Sequence, residues 1–149
     1  MARSPLQIIV IPYRKIPTES YEFALFHRAD GSMWQFVAGG AEDNETAMQA
    51  AMREAEEEAG ISPDCRWTTL DARASIPRTA FSPTSHWPKD ILVVPEFSYA
   101  VDVTGYEILL CQEHDEFRWL TFEEATNLLT WDSNRVALWE LHEKLSGST

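Results

Sequence analysis

The stretch GGAEDNETAMQAAMREAEEEAGI, residues 39–61, decides the fold of this 149-residue chain. It predicts a glycine loop that leads into a helix over residues 45–59, because Ala, Glu, Met, Gln and Arg all favour helix. Asn44 is a plausible N-cap for this helix. Gly60 stands where a helix commonly ends in a left-handed residue. The segment therefore predicts a loop followed by a carboxylate-rich helix.

Three carboxylates of this helix are predicted to share one face. At about 100° per residue, Glu54, Glu57 and Glu58 fall within roughly 100° of one another. Like charges at these spacings repel, and they stand near the helix C-terminus, where the macrodipole disfavours negative charge. A bound cation would relieve the repulsion, and Mg²⁺ or Mn²⁺ is favoured over zinc because no Cys or His shares the face. The alternative is a solvated acidic face. A second face is predicted to pack on a sheet through Met48, Met52, Ala55 and Ala59.

The spacing resembles the box that marks the Nudix hydrolase family, Gly-x5-Glu-x7-Arg-Glu-U-x-Glu-Glu-x-Gly-U, where U is aliphatic. Ala55 is smaller than the usual aliphatic residue, and Asn44 replaces a glycine often found before the first glutamate. The resemblance implies an α/β (α+β) fold, a Nudix-type α-β-α sandwich with a mixed β-sheet and a loop-helix-loop catalytic motif. The matching positions are Gly39, Glu45, Arg53, Glu54, Ala55, Glu57, Glu58, Gly60 and Ile61.

The resemblance also implies a reaction, the Mg²⁺-dependent hydrolysis of a pyrophosphate bond in a nucleoside-diphosphate-type substrate, with Mn²⁺ as a second usable ion. Glu54, Glu57 and Glu58 would ligate the metal. Arg53 would hold a catalytic carboxylate by an ion pair. Gly39, together with the Ala38 carbonyl, would let the backbone approach a metal closely. The family position of Glu45 implies that it ties the loop to the helix.

A later loop around Glu113-His114 resembles the Glu-His segment of several Nudix subfamilies. It implies that Glu113 is a further metal ligand or the catalytic base, against the alternative of an exposed acidic turn. Trp34-Gln35, Ala51-Met52-Arg53-Glu54, Glu113-His114, Thr130-Trp131 and Ser133-Asn134-Arg135 are together similar to the bacterial dihydroneopterin triphosphate pyrophosphatase subfamily. That likeness implies substrate contacts by Arg3, His27, Ala38 and Thr130.

Several functions compete within this resemblance. The leading expectation is an enzyme that splits a pterin or purine triphosphate into monophosphate and pyrophosphate, with dihydroneopterin triphosphate as the best candidate. Glu113-His114 with Trp119 also resembles dinucleoside polyphosphate hydrolases, and a house-cleaning enzyme for modified deoxynucleoside triphosphates is a third alternative. A non-enzymatic nucleotide sensor would be expected to lose box carboxylates, and this chain keeps every one.

The composition narrows the partners. The chain has 24 Asp and Glu against 12 Lys and Arg, so its surface repels nucleic acids and anionic lipids. The apolar run at residues 8–11 is far too short for a membrane span. Cys65 and Cys111 are expected to be reduced thiols. We expect a single cytoplasmic domain over residues 1–149 that acts on a small-molecule polyphosphate; the sequence does not determine its oligomeric state.

The rest of the chain predicts strands at residues 7–13, 21–26, 33–37, 66–75, 91–103 and 117–120. Thr121 and Glu124 form a capping box that opens a helix ending near Leu129, and a last helix covers about residues 133–145. A loop with Pro77, Pro83 and Pro88 separates two of the strands. Its Arg78 and Lys89 are candidates to close over phosphates. Apolar contacts from the last helix are expected from Val136, Leu138, Trp139 and Leu141. Candidates to stack on a planar ring are Trp34, Phe81, Trp87 and Trp131.

Overall fold

The carboxylate-rich helix, α1, spans Ala47–Ala59 in a computed structural model that describes residues 3–82 and 84–147. Its N-cap is Thr46, whose hydroxyl accepts a hydrogen bond from the Gln49 backbone N–H while the Gln49 side chain accepts one from the Thr46 N–H. The prediction of Asn44 as N-cap was wrong, because this reciprocal box starts the helix two residues later and Asn44 instead takes a left-handed turn, with φ 68°. Gly60, with φ 66°, ends the helix as predicted.

Seven strands form one mixed sheet. The central strand β1 pairs in parallel with β6 on one edge, and antiparallel with β2 and β4 on the other. Antiparallel neighbours extend the sheet further, with β3 and β7 beside β2 and β5 beside β6. The strands are β1 Arg3–Ile16, β2 Ser20–Arg28, β3 Trp34–Gln35, β4 Val37–Glu42, β5 Arg66–Pro77, β6 Val93–Asp102 and β7 His114–Leu120.

Strand β4 corrects the expectation of a glycine loop. Its residues pair with β1 in register, with Gly39 opposite Ile8 and Gly40 opposite Gln7. Glycine has little intrinsic preference for strands, but the edge of β1 supplies the backbone hydrogen bonds that override this preference. The consequence is that the backbone before α1 is fixed by the sheet.

Helices cover both faces of the sheet, which confirms the predicted α-β-α sandwich. Helix α1 packs on one face through Ala51, Ala55 and Ala59, against a core that includes Ile8, Val10 and Val101. Helices α2, Phe122–Leu128, and α3, Asp132–Leu145, pack on the opposite face. Thr121 and Glu124 form the predicted capping box of α2.

The buried face of α3 differs in part from the prediction. Leu138 and Leu141 are buried as expected, but Val136 and Trp139 are more than half exposed. Ala137 and Asn134 take their places, because residues 134, 137, 138 and 141 follow the helical repeat on the side that meets the sheet. Apolar residues that follow one another in sequence, as at 136–139, therefore do not all lie on the buried face of the helix.

The loop between β5 and β6 is organised by Arg78, which opens a short 3-10 turn at Arg78–Ala80. Its guanidinium donates to the carbonyl oxygens of Thr84 at 2.6 Å, Trp87 at 3.2 Å, Pro88 at 2.7 Å and Ile91 at 2.9 Å. These donors are therefore occupied by the loop itself, and the prediction that Arg78 closes over phosphates was wrong. Pro83 lies outside the described residues.

Two further sequence expectations bear on the fold. No helix among the described residues is long and apolar enough to cross a membrane. Cys65 and Cys111 are both free thiols, as expected, and each is partly rather than fully buried.

Candidate active site

A charged cavity of about 520 Å³ opens where β1, β4 and α1 meet. It brings together five residues that the sequence singled out, Arg3, Ala38, Gly39, Glu54 and Glu113. Glu113 comes from the segment just before β7, far from the other four in sequence. The remaining wall of the charged cavity consists of Gln7, Arg28, Gln35, Gly40, Ala41 and Glu42.

Arg53 joins α1 to the strand and turn that precede it. Its Nε and Nη2 donate to the two carboxylate oxygens of Glu45 at 2.8 and 3.0 Å, and Nη2 also donates to the Gly40 carbonyl at 3.0 Å. Its Nη1 donates to Glu54 at 2.9 Å and to Glu57 at 3.2 Å. The bond from Arg53 also holds the pKa of Glu45 below its ordinary value. Arg53 therefore fixes the position of the Glu54 carboxylate relative to β4.

The three helix carboxylates are in unlike surroundings. The Glu57 side chain is 58% exposed, that of Glu54 15% and that of Glu58 only 4%. Burial, with a hydrogen bond to the Glu54 carboxyl, raises the pKa of Glu58 well above its ordinary value. These two carboxyl groups face each other closely enough that one positive charge between them would stabilise both.

Glu58 also faces a buried histidine. Its Oε1 lies 3.8 Å from Nε2 of His114, and burial lowers the pKa of that imidazole. Among the described residues, Glu58 Oε2 and His114 Nε2 have no hydrogen-bond partner. A neutral imidazole does not compensate a buried carboxylate, so without a cation the protonated form of Glu58 is favoured, and a cation beside Glu54 would favour the ionised form.

The residues around Glu54 suit a hard divalent cation. The atoms that they offer to a metal are carboxylate and carbonyl oxygens, which such ions prefer as ligands. At Gly39 an added β-carbon would lie 2.6 Å from Glu54 Oε2, so only bare backbone fits against this carboxylate. Within the described residues, however, no three Asp, Glu, His or Cys side chains already converge as a ligand shell. Arg53 instead holds one oxygen each of Glu54 and Glu57.

Five predicted site residues do not line the charged cavity, and Arg53, described above, is one of them. Glu58 lies buried, and Glu57 is more than half exposed and accepts a hydrogen bond from Arg53. His27 Nδ1 lies 2.7 Å from Asp115 Oδ1, and its ring centre lies 5.0 Å from that of Trp34. Thr130 accepts a hydrogen bond from the Trp34 backbone N–H at 3.1 Å. His27 and Thr130 thus support the strand β3 that carries Trp34 and Gln35.

A second cavity, of about 480 Å³, borders the charged one at Gln7, Gln35 and Ala38. It is half-apolar, and Phe81 and Trp131 are the two predicted stacking candidates that line it. Trp34 and Trp87 are buried instead. Sequence reasoning missed this half-apolar cavity and its one buried acid, Glu96. A signal was present, because Glu96 sits at an inward-facing position of a strand, in phase with Ser98 and Ala100.

Comparison with known proteins agrees with this geometry. Residues 16–139 match the NUDIX domain family. The chain is 30% identical over 138 residues to dihydroneopterin triphosphate diphosphatase of Escherichia coli K12, covering 91% of each chain. It is 29% identical to the asymmetrical bis(5'-nucleosyl)-tetraphosphatase of Sus scrofa, covering 97% of each. A Listeria monocytogenes structure assigned to the NUDIX hydrolases has 44% identity and a TM-score of 0.86, with 97% of each chain covered. The chain therefore belongs to the Nudix family and is a Nudix pyrophosphohydrolase.

Proposed function

We propose that the enzyme hydrolyses a pterin or purine triphosphate to the monophosphate and pyrophosphate, with Mg²⁺ as its metal and Mn²⁺ as a substitute. Dihydroneopterin triphosphate is the best candidate substrate. The observation that carries this proposal is the pair of adjoining cavities, one charged and one half-apolar, that share Gln7, Gln35 and Ala38. A molecule with a polyphosphate at one end and a planar ring at the other matches that pair.

The charged cavity would receive the phosphates. Glu54, Glu57, Glu58 and Glu113, with the backbone at Gly39, would hold the metal, which neutralises phosphate charge and lowers the pKa of an attacking water. Three carboxylates on consecutive helical turns and one from a distant loop are the hard donors that this ion requires.

The chain's own cations would complete the binding of phosphate. Arg3 is held by Gln7, whose side-chain oxygen lies 2.5 Å from Arg3 Nη2, and its guanidinium lies 4.8 Å from the centre of the Phe81 ring. Arg28 lines the same cavity and is held by Asp30 through two bonds of 3.0 and 2.9 Å. Both guanidinium groups are therefore oriented before substrate arrives, which lowers the entropic cost of binding.

Two further residues would serve the chemical step. Arg53 would act as a positioning residue that keeps Glu54 against Gly39, because its bonds link α1 to β4. Glu113 lines the charged cavity and would either ligate the metal or take the proton of the attacking water. Ala38 would contact substrate where the cavities meet. His27 and Thr130, proposed here as substrate residues from the family likeness, would act through Trp34, which both contact.

The similarity to a tetraphosphatase supports a second candidate, the hydrolysis of a dinucleoside polyphosphate. Such a substrate carries two rings. The half-apolar cavity beside the charged cavity would hold one of these rings, which favours a substrate with one ring. The triphosphate is therefore the leading proposal.

A panel of substrates tests the proposal. Dihydroneopterin triphosphate, GTP, ATP and diadenosine tetraphosphate would be incubated with Mg²⁺, and with EDTA as the control, and the products identified by mass spectrometry. We expect pyrophosphate and the monophosphate from a triphosphate, and no turnover in EDTA. A preference for diadenosine tetraphosphate of about tenfold or more in kcat/KM, with ATP among the products, would establish the alternative. No turnover of any member of the panel would overturn both.

A further inference from the structure

The half-apolar cavity has walls that suit a flat ring. Ile9, Ile76, Pro77 and Phe81 supply apolar surface, and Trp131 stands at its edge with about half of its area exposed. Aromatic and aliphatic walls of this kind bind the faces of heterocycles, whereas selectivity among rings requires polar groups that meet the ring edge.

Glu96 is such a polar group. It lies on β6 between Gln7 of β1 and Ala74 of β5, and it faces α3. Only 5% of the residue is exposed, and among the described residues its Oε1 has no hydrogen-bond partner. A buried carboxyl oxygen without a donor is costly, and it persists where a ligand supplies the donor.

Neighbouring side chains prepare Glu96 to accept hydrogen bonds. Asn134 accepts a bond from the Phe36 N–H at 3.2 Å, so its Nδ2 is directed to the Ser133 hydroxyl oxygen at 3.3 Å. The Ser133 proton is then free to point to Glu96. Burial raises the pKa of Glu96, and the Ser133 hydroxyl opposes that rise. The Ser133 hydroxyl therefore supports the ionised carboxylate, which has acceptors only, against the effect of burial.

We propose that the half-apolar cavity binds the substrate ring and that Glu96 is a specificity residue, accepting hydrogen bonds from a ring N–H and an adjacent amino group. This inference rests on the proposed function, since the phosphates of the same molecule would occupy the charged cavity. Guanine and 2-amino-4-oxopteridines carry this pair of donors side by side. Hypoxanthine lacks the amino group, and adenine places its amino group beside acceptors, so neither matches a carboxylate.

Ring binding can be measured without turnover. Isothermal titration would give Kd values for neopterin, GMP, IMP and AMP with the wild-type protein in the absence of metal. We expect neopterin and GMP to bind at least about tenfold more tightly than IMP and AMP, the size of effect that one charge-assisted hydrogen bond gives. Because GMP and IMP differ only in the amino group, their ratio isolates the proposed contact. Equal affinities, or no binding of any ring, would overturn the inference.

Two variants test the residue. Glu96→Gln keeps the shape but offers one donor and one acceptor, so it should abolish the preference of GMP over IMP. The control Glu22→Gln makes the same change at an ion-paired glutamate of β2 away from both cavities, and should keep the preference. Circular dichroism would verify folding, and the wild-type series decides the matter if Glu96→Gln does not fold. Retention of the preference by folded Glu96→Gln would refute the role of Glu96.

The two proposals fail in different ways. Selective ring binding without cleavage of any triphosphate would leave Glu96 as a specificity residue and overturn the proposed function. Triphosphate cleavage without ring selectivity would do the reverse.

Discussion

The two cavities that meet at Gln7, Gln35 and Ala38 use charge in opposite ways. In the charged cavity two arginines and three glutamates line the wall, and Arg28, Glu42 and Glu54 are ion-paired with residues outside it. In the half-apolar cavity one acid, Glu96, is buried, whereas the other lining acid, Asp132, is exposed. The charged cavity suits multiply charged groups. The half-apolar cavity would select among neutral rings through the hydrogen-bonding groups on one edge of the ring.

The two cavities also differ in what makes their carboxylates functional, which is geometry in the charged cavity and burial in the half-apolar cavity. In the charged cavity the function of a carboxylate depends on its position and direction, so substitutions there should change turnover more than stability. In the half-apolar cavity the carboxylate is buried at an energetic cost, so substitutions there should change stability and selectivity.

The largest effect is expected at the helix carboxylates. Glu57→Gln and Glu58→Gln should each lower kcat by roughly 10²-fold or more, because each removes a proposed metal ligand. Their effects on unfolding should differ. Glu58→Gln should not lower the melting temperature of the metal-free protein, because a neutral amide of the same shape replaces a buried carboxyl whose raised pKa favours its neutral form. Glu57→Gln should leave the unfolding free energy within about 0.5 kcal/mol of wild type. Near-normal turnover of both variants at saturating Mg²⁺ would rule out this assignment.

Arg53→Ala should reduce stability and rate together. The variant loses the bonds to Glu45 and to the Gly40 carbonyl, and the unfolding free energy should fall by about 1–3 kcal/mol. Turnover should fall by about tenfold or more, since Glu54 loses its anchor. Arg66→Ala, at the exposed first residue of β5, is the control and should change neither. An unchanged melting temperature and kcat for Arg53→Ala would show that the network is dispensable. Chemical denaturation and steady-state kinetics provide the two measurements.

A smaller effect on rate is expected at Gly39. The added methyl of Gly39→Ala would press on Glu54 Oε2 and displace the carboxylate, so kcat should fall by about tenfold while the fold is kept. At Gly31 an added β-carbon meets nothing within 4 Å, so Gly31→Ala should match wild type. Equal turnover of the two variants would mean that the close approach at Gly39 has no catalytic value.

The smallest effect should appear at Glu96 and depend on pH. Because burial raises its pKa in the folded state, the protein binds more protons there than the unfolded chain does, and stability falls as pH rises above the ordinary glutamate value of about 4.3. Glu96→Gln removes this loss, so its stability relative to wild type should rise as the pH increases from 4 to 8. Denaturant titrations at both pH values measure the gain. A difference that is constant with pH would show that Glu96 does not titrate in this range.

The sequence was most informative about the site where the functional residues lie in one short segment. The box residues lie within 23 consecutive positions, and helical periodicity alone groups Glu54, Glu57 and Glu58. It was less informative where partners are distant. Strand β4 depends on backbone pairing with β1, and the start of α1 depends on which of two neighbouring polar residues forms the box with Gln49. The half-apolar cavity draws on β1, β5, β6 and α3, so its composition follows only from the sheet order.

The loop held by Arg78 restricts how the length of this chain can change. Surface loops ordinarily accept insertions and deletions, since few of their atoms have fixed partners. Here four backbone carbonyls between residues 84 and 91 must all remain within hydrogen-bonding distance of one guanidinium. The same segment is tied to the start of β1, because His86 Nε2 and Trp87 Nε1 each lie 2.6 Å from the Arg3 carbonyl oxygen. An insertion or deletion of one residue there would break this match and shift the backbone that carries Arg3. Among related proteins, the number of residues in this loop should therefore be conserved more strictly than the identities of its side chains.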